Sequence, residues 1–293
     1  MNFLKRFFSG KGSSAKVDVE RRFQLQNRVG QGSMSKVWRA TDTKTGKTVA
    51  LKILDKDKTL KLEQRFVGMN RPSEGAIAIT LNHPHVIRTF EHGITTREEQ
   101  FLVMEYVEGA SLSNLVSAQN ERLQSHCLNY CIQLGEALDY LHNQQWIHRD
   151  LCPRNILIAR NDVLKLIDFG LMVPNTPEFR KPGNRTGTAA YMAPELIKRL
   201  PTDQRIDIFS YAVTCYEMYT RQFPWPSADT MEAVLQHVNT PPGHIHKLMP
   251  SLDPHVAKTV MKGLERDPNQ RWQSVREMVT EFQSAAQRMA KQK

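Results

Sequence analysis

The chain has 293 residues, 40% of them apolar and 24% charged, and its formal net charge is +10 at pH 7. This composition is typical of a folded globular protein and excludes a disordered chain, while the length allows one large domain or two lobes. No apolar run reaches the roughly 18 residues that cross a bilayer, the first ten residues do not resemble a secretory signal, and no zinc-finger or aromatic–basic pattern indicates a nucleic-acid module. We therefore expect a cytoplasmic protein without a transmembrane segment.

Residues 1–22 are predicted to form a basic N-terminal tail. Lys5 and Arg6 lie between two pairs of apolar residues, and glycines and serines follow at 9–14. Such a basic and aromatic segment could contact a partner or an anionic membrane surface. The alternative is an extension that is disordered or packed on the domain.

Short β-type runs dominate the chain from Phe23 to Tyr106, and helical patterns follow. The runs lie at 23–29, 36–41, 48–54, 86–93 and 101–107. The clearest helical patterns lie at 127–141, 206–218 and 273–290. The sequence therefore predicts an α+β fold of two lobes with a cleft between them. We expect a small β-rich N-lobe at about 23–106, a larger helical C-lobe at about 107–285 and a basic C-terminal tail at 286–293.

The four cysteines form no disulfide framework. Cys127 and Cys131 are four residues apart, so that they share one face of the predicted helix. We interpret them as small core residues, because a metal site would need further histidine or cysteine ligands and only His126 is nearby.

A glycine-containing segment, Val29 to Val37, joins the first two predicted strands. Gly30 and Gly32 allow the backbone to approach phosphate oxygens closely, with amide N–H groups as donors. On the third strand Lys52 alternates with apolar residues, so its ammonium group would need an anion, either a phosphate or a carboxylate. Each signal is weak alone, because glycine turns join many hairpins and lysines often extend to the surface.

The segment from His148 to Asn155, followed by Asp168-Phe-Gly, is the most informative part of the chain. It supplies a candidate base, Asp150, and two candidate oxygen ligands, Asn155 and Asp168. Phosphoryl transfer from a nucleotide needs a group that accepts a hydroxyl proton and oxygen ligands for a divalent metal ion. The structural alternatives are a carboxylate that caps its own loop at 150 and a turn residue at 168.

These motifs follow one another in a characteristic order. They are the glycine loop, Val49-Ala-Leu-Lys52, His148-Arg-Asp with Asn155, Asp168-Phe-Gly170 and Ala193-Pro-Glu195. Together they resemble eukaryotic-type (Hanks-type) protein kinases over about residues 23–285. The resemblance implies the bilobal kinase fold, ATP in the cleft with Mg²⁺ or Mn²⁺, and transfer of phosphate to a protein hydroxyl. The stretch 187–195 favours the serine/threonine class. The alternative is a pseudokinase that binds nucleotide or partners without efficient transfer.

The resemblance also implies roles for single residues. Asp150 corresponds to the catalytic base, Lys52 to the lysine that holds the α- and β-phosphates, and Glu74 to its partner on a helix. Asn155 and Asp168 correspond to the metal ligands. The remaining positions expected at the nucleotide are Val29, Gly30, Gly32, Val37, Ala50, Met104, Glu105, Val107, Ser111 and Leu157.

Further implied contacts lie in the C-lobe. Glu195 is expected to pair with Arg271, and Asp207 to hold the catalytic loop through backbone hydrogen bonds. Phosphorylation of a threonine in the segment 171–192 could order that segment through Arg149. The candidates are Thr176, Thr186 and Thr188.

The catalytic loop departs from the family pattern at Cys152. Serine/threonine kinases carry there a lysine that contacts the γ-phosphate. Arg154, four residues after Asp150, has the spacing of an arginine in tyrosine kinases and could supply the missing charge. The same position holds, in some family members, an acid that binds substrate arginines, so we do not expect a strong preference for basic substrates. The thiol of Cys152 could be open to oxidation or alkylation.

Pro72 is the second departure, because it lies two residues before Glu74. A proline inside a helix removes a hydrogen bond and clashes with the preceding turn. We therefore expect Pro72 in the first turn of a shortened helix, with a separate helix at 58–68.

Overall fold

A computed structural model describes residues 16–32, 34–118, 120–183, 185–225 and 238–291. The chain divides into two compact units, Met1–Glu108 and Gly109–Lys293. The first is built on a sheet and the second is mainly helical, which confirms the predicted α+β class. In the described ranges no helix has the length and apolar character needed to span a bilayer.

The first unit contains a five-stranded antiparallel sheet in the order β1-β2-β3-β5-β4. Its strands are β1 (Phe23–Gln31), β2 (Ser35–Asp42), β3 (Lys47–Leu54), β4 (Thr89–Ile94) and β5 (Gln100–Glu105). β3 lies in the middle of the sheet, and the residues of its second half are mostly buried. This burial explains why its sequence is a compact apolar run interrupted by Lys52.

Residues 16–22, which the sequence assigned to the tail, pack on this sheet. A short helix, α1 (Val19–Arg22), leads directly into β1, and its first residue is buried in the core of the unit. Arg22 forms ion pairs with Asp42 at 3.1 Å and Glu91 at 2.6 Å. The described part of the tail therefore belongs to the folded unit. The proposed membrane or partner contact of the first fifteen residues lies outside the described chain.

Two helices occupy the connection between β3 and β4. They are α2 (Lys56–Gln64) and α3 (Glu74–Ala78). The Ser73 hydroxyl caps α3 by accepting a hydrogen bond from the N–H of Ala76 at 3.3 Å. The sequence predicted Pro72 in the first turn of this helix. In the structure Pro72 precedes the capping residue Ser73 and lies outside the helix. At this place a proline costs little, because the residue makes no intrahelical N–H bond.

The second unit contains six of the described α-helices. They are α4 (Leu112–Ser117), α5 (Glu121–Asn143), α6 (Pro194–Ile197), α7 (Arg205–Thr220), α8 (Pro254–Gly263) and α9 (Val275–Lys291). Two small sheets accompany them, with strand orders β6-β8-β9 and β10-β7. Their strands are β6 (Gly109–Ser111), β7 (Trp146–Ile147), β8 (Ile156–Ala159), β9 (Leu164–Leu166) and β10 (Val173–Pro174).

The helix α9 extends through residues that the sequence assigned to a C-terminal tail. It is continuous to Lys291, so that 286–291 are helical. Its apolar side is buried at Phe282 and Ala285, while the polar residues that follow continue its exposed side. The amphipathic pattern therefore carries the helix past the expected boundary.

The core of the second unit lies around α7, which is buried on nearly all sides. Cys127 and Cys131 on α5 are buried together with Cys215 on α7, and all three thiols are free. Burial raises the pKa of each thiol, so they remain neutral core side chains. Among the described residues no group of three histidine, cysteine or acidic side chains could hold a metal ion.

A buried ion pair connects the helix α6 to the segment before α9. The guanidinium of Arg271 donates to both carboxylate oxygens of Glu195, each at 2.6 Å. It also donates to the backbone carbonyls of Glu265, Arg205 and Arg266. Bidentate geometry and saturated donors are the conditions under which a buried pair offsets its desolvation cost.

We expect Glu195→Gln to lower the free energy of unfolding by about 3–5 kcal/mol, because it leaves the buried Arg271 guanidinium without a counter-charge. Urea denaturation of both proteins measures the difference. Glu98→Gln, which removes the same charge from the exposed ion pairs with Lys16 and Lys56, is the control and should have a much smaller effect. Equal losses in the two variants would contradict the prediction.

Candidate active site

A buried carboxylate holds the loop that contains Asp150. Asp207 on α7 accepts hydrogen bonds from the backbone N–H groups of His148 at 2.7 Å and Arg149 at 2.8 Å. The Nε2 atom of His142 lies 2.9 Å from the same carboxylate. Burial alone would raise the pKa of Asp207, but the hydrogen bond and charge of His142 outweigh it, and the pKa is lowered. Asp207 therefore stays ionised and fixes the loop.

The part played by His142 was missed in the sequence, although that of Asp207 was predicted. His142 lies at the end of α5, six residues before His148. A histidine at a helix C-terminus is usually explained by the helix dipole, so it carried no distinct signal. Arg149 in the same loop has a φ of 70°, a left-handed conformation that costs energy for a residue with a side chain. The hydrogen bonds to Asp207 help to offset that cost.

Both carboxylate oxygens of Asp150 have defined partners. Oδ1 accepts hydrogen bonds from the backbone N–H and the hydroxyl of Thr188, both at 2.7 Å. Oδ2 accepts one from Nδ2 of Asn155 at 3.1 Å, and Nδ2 also donates to the carbonyl of Asp150 at 2.9 Å. The carboxylate is therefore held in one orientation, half-buried, before any ligand is present.

A glycine allows the chain to approach this loop at Thr188. Gly187 has a φ of 124°, and a Cβ atom at this residue would lie 2.5 Å from the carbonyl oxygen of Arg149. No other residue fits without displacing the backbone. The close approach places Thr188 directly against Asp150.

Asn155 and Asp168 lie at the same end of a hairpin. β8 and β9 are antiparallel, and beyond their paired residues the N–H of Ile167 donates to the carbonyl of Asn155 at 3.0 Å. Asp168 follows immediately, and its Oδ1 accepts the N–H of Gly170 at 3.0 Å. The hairpin thus brings together two candidate ligands that are thirteen positions apart in sequence.

Arg154 and Cys152 both lie near the hydroxyl of Thr188. Nη2 of Arg154 donates to it at 3.2 Å, and the sulfur of Cys152 is 3.7 Å from it. Arg154 is exposed, whereas Cys152 is 1% exposed. Burial and the nearby carboxylate of Asp150 raise the pKa of the Cys152 thiol. The expectation of a reactive thiol is therefore wrong: the side chain is inaccessible and protonated.

In the first unit Lys52 and Glu74 form a buried ion pair. The distance from Nζ of Lys52 to Oε1 of Glu74 is 2.6 Å, and both side chains are less than a tenth exposed. Lys52 lies on β3, and Glu74 is the first residue of α3. The pair that the sequence led us to expect is thus present despite the shortened helix.

Several expected nucleotide residues share one face of the sheet in the first unit. β2 places Val37 opposite Lys52, and β5 places Met104 opposite Ala50. Ala50 and Lys52 are two positions apart on β3, so all four side chains lie on the same face. Gly30 is opposite Val37 at the start of β2, after an irregularity in the β1 pairing at Val29.

The other expected nucleotide residues have defined places. Gly32 donates its N–H to the carbonyl of Ser35 at 3.1 Å, and Glu105 accepts the N–H of Arg88 at 2.8 Å. Val107 is half-buried after the end of β5. In the second unit Ser111 and Leu157 are paired across β6 and β8.

The three candidate phosphorylation sites are all at least half-buried. Thr188 is bonded to Asp150, and Thr176 forms a hydrogen bond with Glu178 that helps to lower the pKa of that carboxyl. Thr186 is 5% exposed, and its hydroxyl has no hydrogen-bond partner in the described chain. A kinase could reach Thr186 only if the segment moved.

A contact that sequence analysis missed lies directly behind Glu74. A Cβ atom on Gly75 would lie 2.6 to 2.8 Å from three atoms of the His92 side chain on β4. The glycine therefore lets α3 lie against the sheet at the height of the ion pair. Burial lowers the pKa of His92, which favours the neutral ring in this contact.

Comparisons with known proteins agree with this geometry. The family model described as protein kinase domain matches residues 23–282. A probable serine/threonine-protein kinase of Streptomyces coelicolor is 31% identical over 269 residues, covering 90% of this chain and 40% of the relative. Serine/threonine-protein kinase PAK mbt of Drosophila melanogaster is 32% identical over 248 residues, covering 84% and 37%. The chain thus spans about 40% of the length of these curated relatives.

We expect Gly75→Ala to lower the free energy of unfolding by about 1–3 kcal/mol in the otherwise unchanged protein, because its methyl group overpacks against His92. In a His92→Ala background the same substitution should be neutral or stabilising by up to about 1 kcal/mol, since alanine favours the helix. Urea denaturation of the four proteins measures both values. A substitution effect of the same sign and size in both backgrounds would exclude the contact.

Proposed function

This chain belongs to the protein kinase domain family, and we propose that it transfers the γ-phosphate of ATP to serine or threonine hydroxyls of protein substrates. The observation that carries the proposal is the fixed carboxylate of Asp150, held by Thr188 and Asn155 in a loop that is itself bound to Asp207. Chemistry of this kind depends on positioning, and a carboxylate with both oxygens constrained is suited to it.

Asp150 acts as the base that accepts the proton of the substrate hydroxyl. Its Oδ1 atom already accepts one hydroxyl hydrogen bond, from Thr188 at 2.7 Å. A substrate hydroxyl is chemically the same donor, so the carboxylate can accept it in the same manner. The hydrogen bond from Asn155 to Oδ2 fixes the rotation of the carboxylate, so that Oδ1 keeps one orientation.

Asn155 and Asp168 have the chemistry of a magnesium site. The side-chain nitrogen of Asn155 donates its hydrogen bonds to Asp150, so the side-chain oxygen Oδ1 is left to bind a metal ion. Asp168 supplies a carboxylate. Hard divalent cations bind through such oxygens. When bound, Mg²⁺ neutralises charge on the transferring phosphates. The role of the two residues is to hold oxygen donors in place at one end of the hairpin.

In the first unit Lys52 binds the phosphates of the nucleotide, and Glu74 positions its ammonium group. A 2.6 Å ion pair to a buried carboxylate restricts the rotamers of the lysine side chain. The apolar residues on the same face of the sheet, Val37, Ala50 and Met104, suit a flat adenine ring. Gly30 and Gly32 let backbone N–H groups approach phosphate oxygens.

The serine/threonine class and the reducing compartment are parts of the same proposal. Relatives that are named serine/threonine-protein kinases match most of the chain. Thr188 contacts the proposed base Asp150, as the resemblance to the serine/threonine class implies. All four cysteines are free and buried, which suits a reducing cytoplasm.

We expect Asp150→Asn to abolish transfer of labelled phosphate from ATP to a generic protein substrate, since the amide cannot accept the proton. Binding should persist, and ATP with Mg²⁺ should still raise the melting temperature of the variant. A pseudokinase would be stabilised by ATP in both forms and would transfer phosphate in neither. Equal transfer by the two proteins would exclude Asp150 as the base.

Arg154→Ala is expected to lower the transfer rate far more than Cys152→Ala. Arg154 is the cation that contacts the Thr188 hydroxyl, and loss of one preorganised donor near a transferring group costs about 2–4 kcal/mol of barrier. Cys152 offers only a buried neutral thiol. The turnover number at saturating ATP decides between them, and small, equal effects would show that Arg154 does not replace the missing lysine.

A further inference from the structure

The side chain of Arg154 combines three properties that no other described cation near Asp150 shares. It is exposed, it lies one hydroxyl group away from the proposed base, and it has no acidic partner within the described chain. Its single hydrogen bond, to Thr188, uses one of the five N–H donors of a guanidinium. Within the described residues the remaining donors have no carboxylate partner, so they can bind one from outside.

The exposed charges of the following segment have the same sign. Between 171 and 200, in the described chain, one exposed side chain is acidic, namely Glu178. Five exposed side chains in the same range are basic: Arg180, Lys181, Arg185, Lys198 and Arg199. The other acid there, Glu195, is buried and neutralised by Arg271. The surface that follows the proposed base is therefore basic.

An acid on α7 that lies next to Tyr191 already has a hydrogen-bond partner. Glu217 on α7 accepts a hydrogen bond from the hydroxyl of Tyr191 at 2.5 Å. Burial raises the pKa of the Glu217 carboxyl, although the hydrogen bond from Tyr191 opposes that rise. A carboxyl with a raised pKa is more often neutral, so it attracts arginine or lysine less.

We propose that Arg154 selects acidic protein substrates, by pairing with an aspartate or glutamate side chain close to the acceptor hydroxyl. The inference rests on the proposed function and names its substrate class. A planar guanidinium binds a carboxylate through two parallel hydrogen bonds, and it repels a basic peptide at the same position. The exposed basic residues of the segment 171–200 add long-range attraction that salt screens.

Three peptides of equal length test the proposal. Each contains a single serine, which is flanked by acidic residues in the first peptide, by neutral amide residues in the second and by basic residues in the third. The wild-type protein should show a kcat/KM about three- to tenfold higher for the acidic than for the neutral peptide, a difference that decreases as salt is added. Arg154→Gln should remove this preference, and Arg154→Glu should reverse it in favour of the basic peptide. The ratio between peptides is the measured quantity, so a general loss of turnover in these variants does not affect it.

Lys258→Glu is the matched control, because it makes the same charge change at an exposed residue on α8. It should keep the acidic preference within about twofold, as expected for a screened distant charge. Equal kcat/KM values for the three wild-type peptides, or a preference unchanged in Arg154→Glu, would overturn the inference and leave the proposed function intact. Transfer to none of the peptides and to no generic protein substrate would overturn the proposed function and the inference with it.

Discussion

The arrangement of the second unit depends on the buried carboxylate of Asp207. It is a fully buried acid in the first turn of a helix that is itself mostly buried, and such a group is stable there only if it is fully bonded. Its partners are the N–H groups of His148 and Arg149 and the ring of His142. The need to satisfy this one charge therefore holds the loop and the end of α5 against α7, and it positions Asp150 at the surface of the core.

The contacts around Asp150 extend this constraint outward. The carboxylate is held by Asn155 on one side and Thr188 on the other, and Thr188 in turn contacts Arg154. The two hydrogen bonds to Asp150 are partly protected from water, whereas the one from Arg154 is exposed, and each contact limits the rotamers of the next side chain. A preorganised carboxylate, an oriented side-chain amide and a guanidinium thus follow from a single anchored loop.

The first unit solves a similar problem in a different way. Its buried lysine is paired with Glu74, which lies on a helix of only five residues. So short a helix has little stability of its own and depends on packing. Ser73 caps it, and Gly75 allows it to lie against His92. The ion pair is maintained by these two local features and not by the length of the helix.

Much of the molecule follows from the sequence. The order of the motifs, the five strands and the principal helices were predicted, because periodicity and short-range residue types are sufficient for them. The pairs Lys52–Glu74 and Glu195–Arg271 were expected from the family resemblance and are present. The roles of the nucleotide and metal residues stay predictions. The domain and tail boundaries stay predictions, while residues 16–22 pack on the first sheet and α9 is helical to Lys291.

The sequence by itself determined which chemical groups this protein carries and in what order, since covalent position is all that a motif contains. Tertiary structure alone decided that Cys152 is buried and inert, that Gly75 contacts His92, and that Arg154 lies at Thr188 with no acidic partner among the residues that the structure describes. These properties arise from contacts between residues 17 to 34 positions apart or from burial by the whole unit. Neither is encoded in local periodicity, so only the folded chain reveals them.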